Sequence, residues 1–118
     1  MSRTRATHLL QSDIHLLEVW GRQVRQMFNG AMPYLVGSAL TTKDYRDVDV
    51  RLIILDEAEH AALLTALDVR RLNLAVSLWG QKATGLPIDF QIQSMAEANI
   101  PGQNAGNRHP LGMREWSE

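Results

Sequence analysis

The stretch "DVDVRLIIL", residues 47–55, constrains the fold more than any other part of the chain. Successive side chains on a β-strand point to opposite faces. The first half therefore puts Asp47, Asp49 and Arg51 on one face and Val48 and Val50 on the other. From Leu52 onward every position is apolar, as in a strand buried on both faces. One element must begin at a polar surface and end inside a core. A sheet layered against helices offers both environments.

The flanking segments supply those layers. Leu10, Ile14, Leu17, Trp20, Val24 and Met27 recur at spacings of three and four, which lines one helical face. Asn29-Gly30 is the stop signal that follows. "MPYLVGS" reads as a short strand ending in Gly37-Ser38, and "ALTTKDYR" as a polar loop with room for a helical turn. "DEAEHAALLTAL" is a helix with Asp56 at its cap and Glu59 at the capping-box position. Asp68 caps a second helix, in which Val69, Leu72, Val76 and Trp79 keep the same rhythm to about Gly80. "GQKATG" is then a turn or loop. In "LPIDFQIQ" the side chains of Ile88, Phe90 and Ile92 point one way and those of Asp89, Gln91 and Gln93 the other, so this is a third strand.

From Ser94 the composition changes. "SMAEAN" has the makings of a short helix. "IPGQNAGNRHPLGMREW" is rich in Pro, Gly and Asn, has no period, and is expected to be a long loop. The order predicts an α/β (α+β) fold in one domain over residues 1–118: a small mixed sheet flanked by helices, with its core at about 9–93 and a tail over 94–118.

Bulk properties narrow the class. The chain has 118 residues, enough to bury a core without staples. Its formal net charge of -1 argues against a general nucleic-acid coat protein. The absence of cysteine excludes a disulfide framework and a thiolate zinc site. His8, His15, His60 and His109 have no metal-ligand spacing. The N-terminus has no apolar signal-peptide core and no apolar run approaches a membrane span, so a cytoplasmic protein is expected.

The carboxylates carry the chemistry. Asp47 and Asp49 on one strand face repel unless one is protonated or a cation sits between them. Magnesium is the natural cation, since it takes hard oxygen ligands and a few carboxylates together with substrate phosphates. Asp89 also lies opposite the apolar face of its strand, so all three converge if the two strands are neighbours. Such a cluster suits two magnesium ions roughly 3.5–4 Å apart acting on a phosphoryl group. Gly37 lets backbone approach a phosphate, and the N–H groups and hydroxyl at Ser38 can bind its oxygens.

Gly-Ser at a strand end, Asp-Val-Asp on the next strand and Ile-Asp-Phe on a later one together resemble the DNA polymerase beta-like nucleotidyltransferase superfamily, including its minimal members. The resemblance spans Trp20 to Gln93. It implies that Gly37 and Ser38 bind nucleotide phosphates, that Asp47 and Asp49 bind metal, and that Asp89 is the third carboxylate, assisting deprotonation of an acceptor hydroxyl. The implied reaction is magnesium-dependent transfer of a nucleoside monophosphate from a nucleoside triphosphate to a hydroxyl acceptor, which the sequence leaves unidentified. The sequence departs from the family pattern in two ways. The loop "ALTTKDY" lacks the family's additional glycine, and a second helical domain for the acceptor is missing.

Other residues have plainer readings beside the functional ones. Lys43 and Arg46 are candidates to neutralise a triphosphate; as loop residues they are otherwise solvated. Asp44 reads as a turn or cap residue. Arg51 is expected to pair with the carboxylates on its face, and Gln91 and Gln93 to face solvent or a base. Trp20 and Trp79 read as core, and Trp116 as a cover for the sheet or a partner. Arg108 and His109 either reach toward phosphate or acceptor from a flap, or belong to a tail that wraps the domain. The alternative function is a binding module that keeps the fold without catalysis, antitoxin-like or otherwise paired with another chain. A metal-dependent phosphodiester hydrolase is a third. An open sheet edge would also admit a homodimer.

Overall fold

Two neighbouring parallel strands need a long crossover between them, and residues 57–84 supply it with two helices. The computed structural model describes residues 9–40, 45–66, 68–99 and 108–113. Lys43, Asp44 and Trp116 lie outside the described residues. In chain order the elements are α1 (Gln11–Met27), β1 (Met32–Val36), a 3-10 turn (Gly37–Leu40), β2 (Val48–Ile54), α2 (Glu57–Ala66), α3 (Val69–Thr84), β3 (Ile88–Ser94), α4 (Met95–Ala98) and β4 (Arg108–Pro110). The sheet order is β3-β2-β1-β4. β2 and β3 are parallel, and both other pairs are antiparallel. The fold is therefore a single-domain mixed α+β structure, as the sequence predicts.

The alternation of β2 works as expected. Val48, Val50 and Leu52 are fully buried on one face, and Ile53 and Ile54 are buried as well. Leu35, Ile88, Phe90 and Ile92 complete the apolar sheet face, against which Leu17, Trp20 and Val24 of α1 and Val76 of α3 pack. Trp20 is the hub. Its ring meets Trp79 edge-on at 5.9 Å and Phe90 at 6.4 Å, and Phe90 in turn stacks on Phe28 at 6.1 Å. Aromatic pairs in these geometries add about 0.5–1.5 kcal/mol each beyond the area they bury. The ends of the predicted α1 stripe depart from the pattern: Leu10 and Met27 are exposed.

Two boundaries and one cap differ from the sequence reading. α3 does not stop at Gly80 but runs on to Thr84, so most of "GQKATG" is helical. Gly80 is a packing glycine, since a Cβ there would lie 2.7 Å from the Trp20 ring. The true stop is Gly85, in the left-handed conformation at φ 73°, with its N–H bonded to Gln81 O. The reciprocal capping box lies at Ser94 and Glu97, opening α4. At α2, Asp56 alone accepts, from the N–H groups of Ala58 and Glu59. Finally, the tail is not all loop, because residues 108–110 form β4 along β1.

The outer edge of β3 is protected. The N–H of Phe90 donates to Ser77 Oγ at 2.8 Å, the N–H of Ile92 to Asn73 Oδ1 at 3.1 Å, and Gln81 Nε2 donates to Ile88 O at 3.0 Å. Asn73, Ser77 and Gln81 recur every four residues on α3, so one polar stripe satisfies a strand edge that would otherwise invite another chain.

Candidate functional site

Directly paired residues on neighbouring strands share a face, and the register decides which groups meet. β2 and β3 pair Asp49 with Asp89, and β1 and β2 pair Val36 with Asp49. This brings the two carboxylates side by side, opposite the apolar face, next to the end of β1. Asp47 lies just ahead of β2 rather than in it. Carboxylate oxygens of Asp47, Asp49 and Asp89 all lie within 4.8 Å of one another. Asp47 is exposed and the other two are half-buried.

Gly37 explains how β1 turns at this point. Its φ is 80°, a left-handed conformation that glycine adopts at little cost. A Cβ at Gly37 would run into the Asp49 carboxylate, so the missing side chain is what lets the turn lie against the acidic cluster. Ser38 follows, exposed, in the 3-10 turn. Arg46 is exposed beside Asp47. Of the seven candidate residues, the structure thus brings Asp47, Asp49, Asp89 and Gly37 together. Ser38 and Arg46 are their chain neighbours, and Lys43 falls outside the described residues.

Arg51 forms the ion pairs expected of it. Its Nη2 lies 3.6 Å from Asp49 Oδ1 and 3.7 Å from Asp89 Oδ2. Its Nη1 donates to Asp89 O at 2.9 Å and to Val50 O at 3.1 Å. The guanidinium ties β2 to β3 and leaves a net negative charge on the three carboxylates. Burial pushes the Asp49 carboxyl above its ordinary value; Arg51 opposes this, and the neighbouring charges of Asp89 and Asp47 push the same way as burial. Asp49, held beside two further carboxylates, gains from a cation taken up among them. Three hard oxygen donors at this spacing fit a divalent ion such as magnesium.

A large cavity lies elsewhere. It encloses about 960 Å³ and is lined mainly by apolar groups, among them Phe28, Met32, Tyr34, Ile53, Leu63 and Leu72. None of the three carboxylates lines it. Gln91 is exposed and Gln93 half-buried on the polar face. The sequence reading missed Glu18, a buried carboxylate on α1 that accepts the N–H of Gly112 at 2.8 Å and lies 3.9 Å from His109 Nε2. Its position at the border of the α1 apolar stripe, one turn after Ile14, was the one available signal. Among the described residues no helix is long and apolar enough to cross a membrane. No protein-family model matches this chain, and neither a curated protein nor a solved structure matches it.

Proposed function

We propose that the protein is a magnesium-dependent nucleotidyltransferase, moving a nucleoside monophosphate from a nucleoside triphosphate to a hydroxyl acceptor with release of pyrophosphate. The observation that carries this reading is the convergence of Asp47, Asp49 and Asp89 from adjoining parallel strands beside the left-handed Gly37. An isolated Asp-x-Asp is ordinary on a strand surface. A third carboxylate brought into register next to a backbone turn without a side chain is an arrangement that suits metal-assisted phosphoryl chemistry.

Asp47, Asp49 and Asp89 would hold magnesium, which supplies neutralisation of phosphate charge and eases ionisation of the acceptor hydroxyl. The remaining work falls to the chain's own groups. The N–H groups and hydroxyl of Gly37-Ser38 donate to phosphate oxygens. Asp89 takes the acceptor's proton. The acceptor oxygen bonds to the α-phosphorus, the bond from that phosphorus to the bridging oxygen breaks, and its electron pair leaves with pyrophosphate. Arg51 acts as a positioning residue by holding Asp49 and Asp89 side by side.

The test is calorimetric titration of each nucleoside triphosphate with magnesium, followed by a transfer assay, on wild type, Asp47→Asn and Asp49→Asn. Each variant should fold and lose more than about 100-fold in magnesium-dependent binding or transfer, the scale of removing a main electrostatic group. A folded variant that keeps metal-dependent transfer would sink the assignment. A second reading, a binding module without catalysis, is favoured by one observation: Arg51 already neutralises part of the charge on the Asp49–Asp89 pair. Under that reading the wild type binds no triphosphate and is instead recovered in a stable complex with another chain.

A further inference from the structure

The tail contributes a cation to the carboxylate face. β4 pairs Arg108 with Val36, the residue just before Gly37-Ser38, and Val36 pairs in turn with Asp49. Residues paired in this way share a face, so one row across the sheet reads Asp89, Asp49, Val36, Arg108. The Gly37-Ser38 turn lies between the carboxylates and Arg108. Two strand spacings, roughly 10 Å, separate the Asp49 and Arg108 backbones.

The two arginines of this face are in different states. Arg51 is engaged with two carboxylates and two carbonyls. Arg108 lies over the Tyr34 ring, 5.8 Å from its centroid, and donates through Nη2 to Asn99 Oδ1. Its Nη1 is out of solvent and has no hydrogen-bond acceptor among the described residues. No carboxylate among the described residues pairs with it. Burying an unused donor is costly, so a guanidinium that gives up Asn99 and turns that donor outward gains the two-pronged bonds that phosphate oxygens accept.

The segment bearing Arg108 is firmly attached. The N–H of Leu111 donates to Pro33 O at 2.9 Å, and the Leu111 side chain is fully buried. Gly112 is held from both sides, its N–H by Glu18 and its carbonyl by Arg25 Nη1 at 3.1 Å. A binding group set on an anchored strand loses little on ordering when its ligand arrives.

Resting on the nucleotidyl-transfer reading, we propose that Arg108 is a phosphate-binding residue: together with the Gly37-Ser38 turn it takes the distal phosphates of a triphosphate whose first phosphate lies at the carboxylates. The charge pattern favours a cation there. Three carboxylates repel a triphosphate except where metal intervenes, so its far end needs a positive group on the side of the turn away from them. Arg108 thereby selects for polyphosphate length and leaves metal binding to the aspartates.

The experiment compares wild type, Arg108→Ala and Arg108→Lys by calorimetry against magnesium tripolyphosphate, a base-free probe, and against manganese alone. Melting temperatures check that each variant is folded. Arg108→Ala should weaken tripolyphosphate binding at least tenfold, and Arg108→Lys should weaken it by less, while manganese affinity stays within twofold. Tripolyphosphate affinity within twofold of wild type in both variants overturns the proposal and leaves nucleotidyl transfer standing. An equal loss of manganese affinity also overturns it, since Arg108 would then act by holding the sheet. A wild type that binds manganese but no tripolyphosphate removes both this inference and the phosphate half of the functional reading.

Discussion

The two faces of one sheet are built on opposite principles. On the helix-covered face, Val48, Val50, Leu52, Ile88, Phe90 and Ile92 are buried with like neighbours, and each contact favours folding. On the other face the same two strands set Asp49 beside Asp89, with Arg51 between them. Ionised Asp49 is a cost there, as the upward push on its pKa records. The difference teaches where stability and chemistry are kept. Because a strand alternates, residues one apart serve the two purposes without sharing a neighbour.

The sharpest break in this contrast is at adjacent positions of β3. Phe90→Ala should lose about 3–5 kcal/mol, the usual cost of emptying an aromatic core site, and so approach global unfolding. Gln91→Ala, one residue away and exposed, should stay within about 0.5 kcal/mol. Urea denaturation of both measures the gap. Comparable losses would mean that the polar face is packed as tightly as the core.

A smaller effect is expected where the tail clasps α1. Gly112 has φ 78°, and a Cβ there would lie 2.6 Å from the backbone of Gly21 and Arg22. Gly112→Ala should cost about 1–3 kcal/mol, the range for backbone held in a region its side chain disfavours. The same denaturation experiment reads it. An unchanged midpoint would show that the clasp yields freely and that β4 is not held by it.

The smallest effect has the opposite sign and concerns pH. With the Asp49 carboxyl raised in the fold above its ordinary 3.8, folding favours its protonated form. That contribution is full below the ordinary value and is lost as pH rises through the raised one. At pH 7, Asp49→Asn should therefore melt above the wild type, since it removes a charge the fold disfavours, while Arg51 keeps Asp89 as a partner. The advantage should shrink as pH falls toward 3.8. Melting curves between pH 3 and 8, without divalent ions, measure the trend; a variant that melts lower at pH 7 would contradict it.

Sequence alone determined a good deal. Periodicity located α1, β2 and β3, and the alternation in "DVDVRLIIL" and "LPIDFQIQ" assigned each carboxylate to a face, because side-chain direction along a strand is fixed by the backbone. Asp68 was legible as a cap because capping is a local bond, here to the N–H of Arg71. What the tertiary structure decided depends on partners distant in the chain. The register that sets Asp49 opposite Asp89 is a choice between strands 40 residues apart, and no local preference encodes it. Gly80 looked like a stop because its reason for being glycine is the ring of Trp20, 60 residues earlier. β4 looked like loop because three residues carry no period; they become a strand only when β1 offers an edge and Glu18 and Arg25 hold Gly112. The sequence supplied the charged groups and their faces, and the pairing of strands, set by the burial of their other sides, decided which of those groups meet.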